Sequence, residues 1–255
     1  LKPSRLCIGA ARSAGHMAGD HGPIGHCIKA VAAVPPFSWF GSSEAMQFAM
    51  FGMEGAGKTT FLYKLKIKEW KREDIKQDMA YLKRSDAMTQ CRDPAYHYEE
   101  MSGRTCTYGM WEIPGSEPML RNGSLFYRYL RMSAVFFVVD AFSERMLDMQ
   151  RIENARHWLH FLLNEDELRL ASFVLVLNVK RPEKEARKEH SVEERALLEM
   201  LGVPGIEAQP IFAERFFKLT CNCTDFSSDD PKWEELLGKI QLVWRTTGEG
   251  SFYGR

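Results

Sequence analysis

Residues 51–65 read FGMEGAGKTTFLYKL, and this stretch decides the fold. Gly52 to Thr59 match the pattern G-x-x-x-x-G-K-[ST], in which a glycine-rich turn joins a strand to a helix. The apolar segment AMQFAMF (45–51) precedes the turn, and a helical pattern follows it from Lys58. The context therefore predicts a phosphate-binding loop between a buried strand and a helix.

The residue types of this loop explain its chemistry. Glycines let the backbone curl, so that successive N–H groups and the helix N-terminus face the phosphates. The ammonium group of Lys58 is suited to the outer phosphates, and the hydroxyl of Thr59 is suited to ligate Mg²⁺. The predicted phosphate-binding residues are Glu54, Gly55, Ala56, Gly57, Lys58, Thr59 and Thr60.

Short apolar runs alternate with helical patterns from residue 45 onward. Strands are predicted at 105–113, 134–140, 172–179 and 215–220, and helices from 58, over 144–168, around 191–201 and from about 231. Strands that are buried on both faces and separated by helices favour a mostly parallel sheet covered on both sides. We therefore predict a doubly wound α/β domain over residues 45–245, followed by a tail, 246–255.

The overall composition excludes several classes of protein. The 255 residues include 34 basic and 34 acidic side chains, so no net charge draws the chain to nucleic acid. Of the six cysteines only Cys221 and Cys223 are close, and their spacing is not the CxxC pair of a zinc site. The longest apolar runs are far shorter than the roughly 20 residues of a membrane-spanning helix. The composition therefore leaves proteins as the expected class of partner. It also leaves peripheral contact with a membrane open.

Residues 1–44 form an extension rich in Gly, Ala, Pro and Ser, with Asp20 as its only acidic residue before Glu44. This composition resembles a mitochondrial targeting region or its remnant. It equally fits a flexible arm on a cytoplasmic, membrane-peripheral protein, in which VPPFSWFG (34–41) would dock on protein or lipid. Because the extension has little periodic apolar surface, we expect a protein partner to hold it.

Several motifs, in order and spacing, resemble the Arf and Arf-like branch of the Ras-type small GTPases. MWEIPGSEPMLR (110–121) resembles switch II, and AVFFVVDAFSERM (134–146) resembles the strand that follows it. NEDELRLASFVLVLNVKRP (164–182) and LTCNCTD (219–225) resemble the two base-contacting regions. The resemblance implies the P-loop NTPase fold of a small GTPase, a purine nucleotide (GTP, ATP or the diphosphate) and Mg²⁺.

Switch II departs from the family pattern. The resemblance assigns Glu112 to the position of the Asp that helps hold Mg²⁺, so Thr59 and Glu112 are the predicted metal ligands. Gly115 keeps the position of a nucleotide-binding Gly, but Ser116 stands where the family has the Gln that orients the attacking water. A Ser side chain is too short for that task, so we expect little or no hydrolysis and assign no catalytic residue.

Base recognition is altered too. The family uses Asn-Lys-x-Asp, and this chain has Asn178, Lys180 and, in place of the Asp, Arg181. An Arg offers only donors, so the guanine N–H groups lose their acceptor. Asn178 therefore either caps a strand end or keeps a base contact, while Cys221 and Asn222 match the last base-contacting loop.

Residues 66–95 are predicted to be a charged insertion that the family lacks. The mixed charges of KIKEWKREDIKQDMAYLKRSD (66–86) favour a solvated extension of the preceding helix over a nucleic-acid or membrane patch. Asp93 replaces the Thr with which switch I senses the γ-phosphate. We therefore do not expect the ordinary γ-phosphate switch.

These observations favour an Arf-like pseudo-GTPase that holds a purine nucleotide and acts as a structural or interaction subunit of a larger, mitochondrial assembly. An active but divergent Arf-like GTPase that regulates membrane or organelle processes is the alternative. An ATP-using P-loop enzyme is a third hypothesis.

Overall fold

A computed structural model describes residues 45–70, 74–75, 77, 96–141, 148–179 and 190–249 of the chain. The predictions made for residues 1–44, for Asp93, for Lys180 and Arg181, and for most of the insertion 66–95 lie outside these ranges.

A six-stranded sheet forms the centre of the domain, with the strand order β2-β3-β1-β4-β5-β6. Its strands are β1 (Met46–Phe51), β2 (His97–Ser102), β3 (Thr107–Glu112), β4 (Ala134–Asp140), β5 (Ser172–Asn178) and β6 (Phe216–Cys221). The pair β2 and β3 is antiparallel, and all other neighbours are parallel. This arrangement confirms the predicted mostly parallel sheet.

The parallel register brings the carboxyl ends of the strands to one edge of the sheet. Met50 is opposite Glu112, and Asp140 and Cys221 flank Asn178. In open parallel sheets this edge is where ligands bind. Residues from four distant parts of the sequence therefore meet beside the loop that follows β1.

The described α-helices cover both faces of the sheet. They are α1 (Lys58–Lys66), α2 (Glu117–Asn122), α3 (Ser124–Tyr129), α4 (Met149–Leu163), α5 (His190–Met200), α6 (Val203–Glu207) and α7 (Pro231–Glu249). None of the helices that the structure describes is long and apolar enough to cross a lipid bilayer. The last residues of α7 lie in the segment predicted as a tail.

Side chains alternate between two apolar cores, as the two-residue period of a strand requires. Phe48 and Met50 pack with α1 and α7, where Trp233 is fully buried and donates through Nε1 to the hydroxyl of Tyr108 (3.0 Å). Phe51 and the other face of the sheet pack with α2 to α6. The short loops between these layers hold the site at the sheet edge.

The prediction that the insertion extends helix α1 is wrong. The helix ends at Lys66, and Ile67 has an extended backbone (φ −109°, ψ 91°). Trp70 is fully buried against Tyr63, and its carbonyl accepts a hydrogen bond from Nζ of Lys64 (2.9 Å). Burial of one large aromatic residue turns the chain back, which a mixed-charge pattern does not reveal.

Other elements differ from the sequence predictions in their bounds. The predicted helix 144–168 is α4 (Met149–Leu163) followed by a 3₁₀ turn (Asp166–Leu168), and residues 144–147 lie outside the described part. Helices α2 and α3 were not predicted because each has six residues, too few for a helical period. Strand β2 (His97–Ser102) has no counterpart among the predicted strands.

Candidate functional site

The loop between β1 and α1 curls because its glycines adopt left-handed backbone angles. Gly52, Gly55 and Gly57 have φ values of 141°, 73° and 102°. A Cβ added at Gly57 would lie 2.4 Å from Nδ2 of Asn178. The glycine at this position is therefore required both by the backbone angle and by the side chain packed against it.

Lys58, the first residue of α1, folds back over the loop. Its Nζ donates to the carbonyl oxygens of Gly52 (2.8 Å) and Met53 (3.2 Å) and is almost completely buried. Burial lowers the pKa of Lys58, while the charges of Glu112 and Glu54 oppose that shift. An anion bound in the loop would compensate this buried cation.

The predicted metal ligands are in contact with each other. The hydroxyl of Thr59 donates to Oε1 of Glu112 at 2.7 Å, and the Glu112 side chain is buried. Its second oxygen, Oε2, has no hydrogen-bond partner among the described residues. A hydroxyl and a carboxylate with a spare buried oxygen form a donor set that suits Mg²⁺, which commonly binds one or two carboxylates together with phosphate oxygens.

Asn178 links two loops at the end of β5. Nδ2 donates to the carbonyl of Ala56 (2.9 Å), and Oδ1 accepts from the amide of Cys223 (3.1 Å). The side chain is 2% exposed. Asn178 therefore does more than cap the end of a strand, because its side chain connects the phosphate loop with the loop after β6. A contact of Asn178 with the base stays a prediction.

Switch II residues lie directly against the phosphate loop. A Cβ added at Gly115 would lie 2.4 Å from the amide nitrogen of Glu54 and 2.6 Å from the carbonyl oxygen of Gly52. Ser116 adopts an extended backbone at the start of α2 (φ −73°, ψ 147°) and makes no side-chain cap. No carboxamide therefore stands at this position to orient a water.

The predicted base-contacting loop is held by its own residues. Oδ1 of Asn222 accepts from the amide of Thr224 (3.1 Å), and its Nδ2 donates to Asp225 (2.6 Å). A polar cleft of about 250 Å³ opens beside this loop. It is lined by Val179, Thr220, Cys221, Asn222, Asp225, Phe226, Asp230 and Lys232.

One polar contact at the loop escaped the sequence analysis. Arg151, in the first turn of α4, donates through Nη2 to the carbonyl oxygen of Glu54. Asp148 caps the same helix by accepting from the amide of Arg151 (3.2 Å). A side chain that binds a backbone carbonyl leaves no sequence pattern, so only the fold reveals this residue.

The predicted site residues thus meet at one edge of the sheet wherever they are described. The described residues Glu54 to Thr60, Gly115, Glu112 and Asn178 lie at or beside the phosphate loop, and Cys221 and Asn222 line the polar cleft beside the loop after β6. Lys180 lies outside the described part of the chain, as do Arg181 and Asp93. Among the described residues, no group of three or more His, Cys, Asp or Glu side chains is placed to hold a metal ion.

Two comparisons with known proteins agree with this geometry. The model of the ADP-ribosylation factor family matches residues 37–216 of the chain. Among solved structures, the fold is similar to the Arl6 (BBS3) small GTPase of Trypanosoma brucei with the bound nucleotide analogue GppNp, with a TM-score of 0.50 and 16% sequence identity. The match covers 82% of this chain and 100% of that one, and at this identity it shows the fold alone.

Proposed function

The chain belongs to the ADP-ribosylation factor family, and from this premise we propose that it is a pseudo-GTPase that holds a nucleotide without turning it over. The family fold implies a guanine nucleotide with Mg²⁺. A single observation carries the proposal: Lys58, Thr59 and Glu112 are assembled around the phosphate loop. The sequence adds that Ser116 stands where the family pattern has the water-orienting Gln.

The chain offers donors for each phosphate contact. The N–H groups of Gly55 and Gly57 find no acceptor among the described residues, and Lys58 supplies a buried positive charge. Thr59 and Glu112 would hold a Mg²⁺ ion, which when bound neutralises charge on the phosphate oxygens. These donors together support binding of a nucleoside di- or triphosphate.

Hydrolysis needs more than binding. In GTP hydrolysis by P-loop enzymes a side chain must orient a water in line with the terminal phosphate. The hydroxymethyl group of Ser116 lacks the reach of a Gln side chain, and its single oxygen replaces the separate donor and acceptor atoms of a carboxamide. A nucleotide bound here would therefore stabilise the fold by linkage rather than drive a cycle of turnover.

The biological role that fits such a protein is that of an interaction subunit. A fold that binds nucleotide without turnover presents a rigid surface to protein partners, and the extension 1–44 and the insertion 66–95 are the additional regions available for contact. We assign the assembly to the mitochondrion on the composition of residues 1–44. Contact with a membrane surface remains compatible with this role.

A specific observation also supports an active GTPase as the second candidate. The contact of Thr59 with Glu112 keeps a cation site, and Gly115 lies against the phosphate loop. A partner protein that supplied the water-orienting group would then complete the machinery. Hydrolysis of bound GTP, rather than retention of an unchanged nucleotide, would distinguish this candidate from a pseudo-GTPase.

One experiment on the full chain purified from its native source tests the proposal. Nucleotide released by denaturation is identified by chromatography, copurifying proteins are identified by mass spectrometry, and turnover of GTP and ATP is measured with and without those proteins. We expect about one purine nucleotide per chain, stable partners and no turnover. Turnover of GTP with the partners present would favour the active GTPase, and an empty protein that binds no added nucleotide would contradict both.

A further inference from the structure

Two carbonyl groups of the phosphate loop point outward and are bound by side chains from other elements. Nδ2 of Asn178, at the end of β5, donates to the carbonyl of Ala56. Arg151, in the first turn of α4, donates to the carbonyl of Glu54. These contacts join residues separated by 122 and 97 positions in the sequence, so the tertiary fold sets the orientation of the loop.

The geometry of the peptide group links the direction of each bound carbonyl to the direction of the N–H group of the next residue. In a trans peptide the C=O of one residue and the N–H of the next point in opposite directions, and the described part of the chain has no cis peptide bond. Arg151, by fixing the carbonyl of Glu54, therefore directs the N–H of Gly55 away from α4. No acceptor among the described residues pairs with that N–H group.

We propose that Arg151 is a positioning residue for phosphate binding, which holds the peptide between Glu54 and Gly55 with its N–H turned toward the anion. This inference rests on the proposed function, because it concerns the same phosphate cradle. Glycine at position 55 makes such a support necessary. Its φ of 73° lies in a region that glycine enters and leaves at little cost, so the peptide would otherwise rotate.

The charge of Arg151 adds to its geometric effect. A guanidinium that donates to a carbonyl forms a charge-assisted hydrogen bond, and it polarises the peptide so that the opposite N–H becomes a stronger donor. A cation in the first turn of a helix opposes the helix dipole. The position of Arg151 is thus unfavourable for α4 itself, which favours a role at the loop that it contacts.

Arg156 provides a matched control on the same helix. Its side chain is exposed and lies near Gly202, 3.6 Å from the position that a Cβ there would occupy. Arg151→Met removes the donors and the charge while keeping an unbranched side chain about as long as the aliphatic part of Arg, and Arg151→Lys keeps the charge with a single donor nitrogen. Arg156→Met changes the net charge by the same amount away from the loop.

The full chain and these variants are titrated with GDP and GTP in the presence of Mg²⁺. We expect Arg151→Met to weaken binding of both nucleotides about tenfold, Arg151→Lys to weaken it less, and Arg156→Met to leave it unchanged. Because the contact of Arg151 with Glu54 is exposed and water can replace the donor, the melting temperature of the nucleotide-free Arg151→Met protein should be close to that of the wild type. Equal affinities of Arg151→Met and wild type, or an equal loss in Arg156→Met, would overturn the inference.

A second readout separates this inference from the proposed function. The ¹H–¹⁵N resonance of Gly55 in the nucleotide-free protein reports the orientation and mobility of its peptide. We expect it to shift and broaden in Arg151→Met and to stay in place in Arg156→Met. If the wild type binds neither nucleotide, the proposed function fails, while an unchanged Gly55 resonance in Arg151→Met is what refutes the role of Arg151.

Discussion

The phosphate side and the base side of the site are built by different kinds of contact. On the phosphate side, Glu112 bonds to Thr59 and Asn178 to Ala56, pairs that are 53 and 122 residues apart in the sequence. On the base side, Asn222 bonds to residues two and three positions away. The phosphate side is therefore held by tertiary contacts, whereas the side chain of Asn222 bonds only within its own loop, although Asn178 ties that loop to the fold through the amide of Cys223.

This difference predicts how strongly a substitution on each side lowers the free energy of unfolding. A substitution on the phosphate side leaves buried polar groups of another element unpaired, at a cost of about 1–3 kcal/mol for each group. A substitution of Asn222 costs less, because its side chain bonds only to residues of the same loop.

The largest expected effect comes from exchanging the same residue type on the two sides. Asn178→Ala leaves the carbonyl of Ala56 and the amide of Cys223 buried without their partner, and we expect the free energy of unfolding to fall by about 3 kcal/mol. Asn222→Ala removes only contacts within one loop, and we expect a fall of less than about 1 kcal/mol. Urea denaturation of the nucleotide-free proteins measures both values.

The ratio of these two losses is the informative quantity. If Asn222→Ala destabilises the protein as much as Asn178→Ala, the base loop is tied into the fold as firmly as the phosphate loop. The comparison between the two sides would then be wrong.

The sequence predicts the fold well where one pattern carries the information. Strands β4 and β5 are continuous apolar runs, and the phosphate loop is a local motif, so both could be placed without a structure. Helix α2 is too short to show a period, and the end of α1 depends on burial of Trp70 by residues that are not adjacent to it in the sequence.

The candidate site divides in the same way. The positions of Lys58, Thr59 and Glu112 beside the phosphate loop could be predicted because each belongs to a family motif, and their roles in binding stay predictions. The contacts of Arg151 and Asn178 with loop carbonyls could not, since any residue has a carbonyl and nothing in the sequence marks which one is bound.

An intermediate effect of pH on the free energy of unfolding is expected for the nucleotide-free protein, because the phosphate loop contains the buried Lys58. Burial lowers the pKa of Lys58 in the folded state below the value of about 10.5 in the unfolded chain. Between these two pKa values the unfolded chain binds more protons, so the free energy of unfolding rises with pH across that window. Lys58→Met should flatten this rise relative to the wild type.

Denaturation at several pH values up to about 10.5 measures the difference between the two proteins, in which contributions of other groups cancel. Saturating GDP with Mg²⁺ should also flatten the rise, because the phosphates keep Lys58 charged. A wild type and a Lys58→Met protein with parallel pH profiles would show that folding does not lower the pKa of Lys58 in the nucleotide-free protein.

The smallest expected effect lies on the base side. Guanine presents two N–H donors where adenine does not, and the carboxylate created by Arg181→Asp would accept both. We expect the ratio of the ADP and GDP dissociation constants to rise about fivefold, with little change in stability. Arg181→Ala removes the positive charge without adding an acceptor, so it should leave the ratio near that of the wild type. Competition titrations of the three proteins measure the ratio.

A wild type that already prefers GDP strongly would mean that another carboxylate, such as Asp225 at the polar cleft, accepts from the base. The base loop would then be constrained by its ligand, although the side-chain contacts of Asn222 are local.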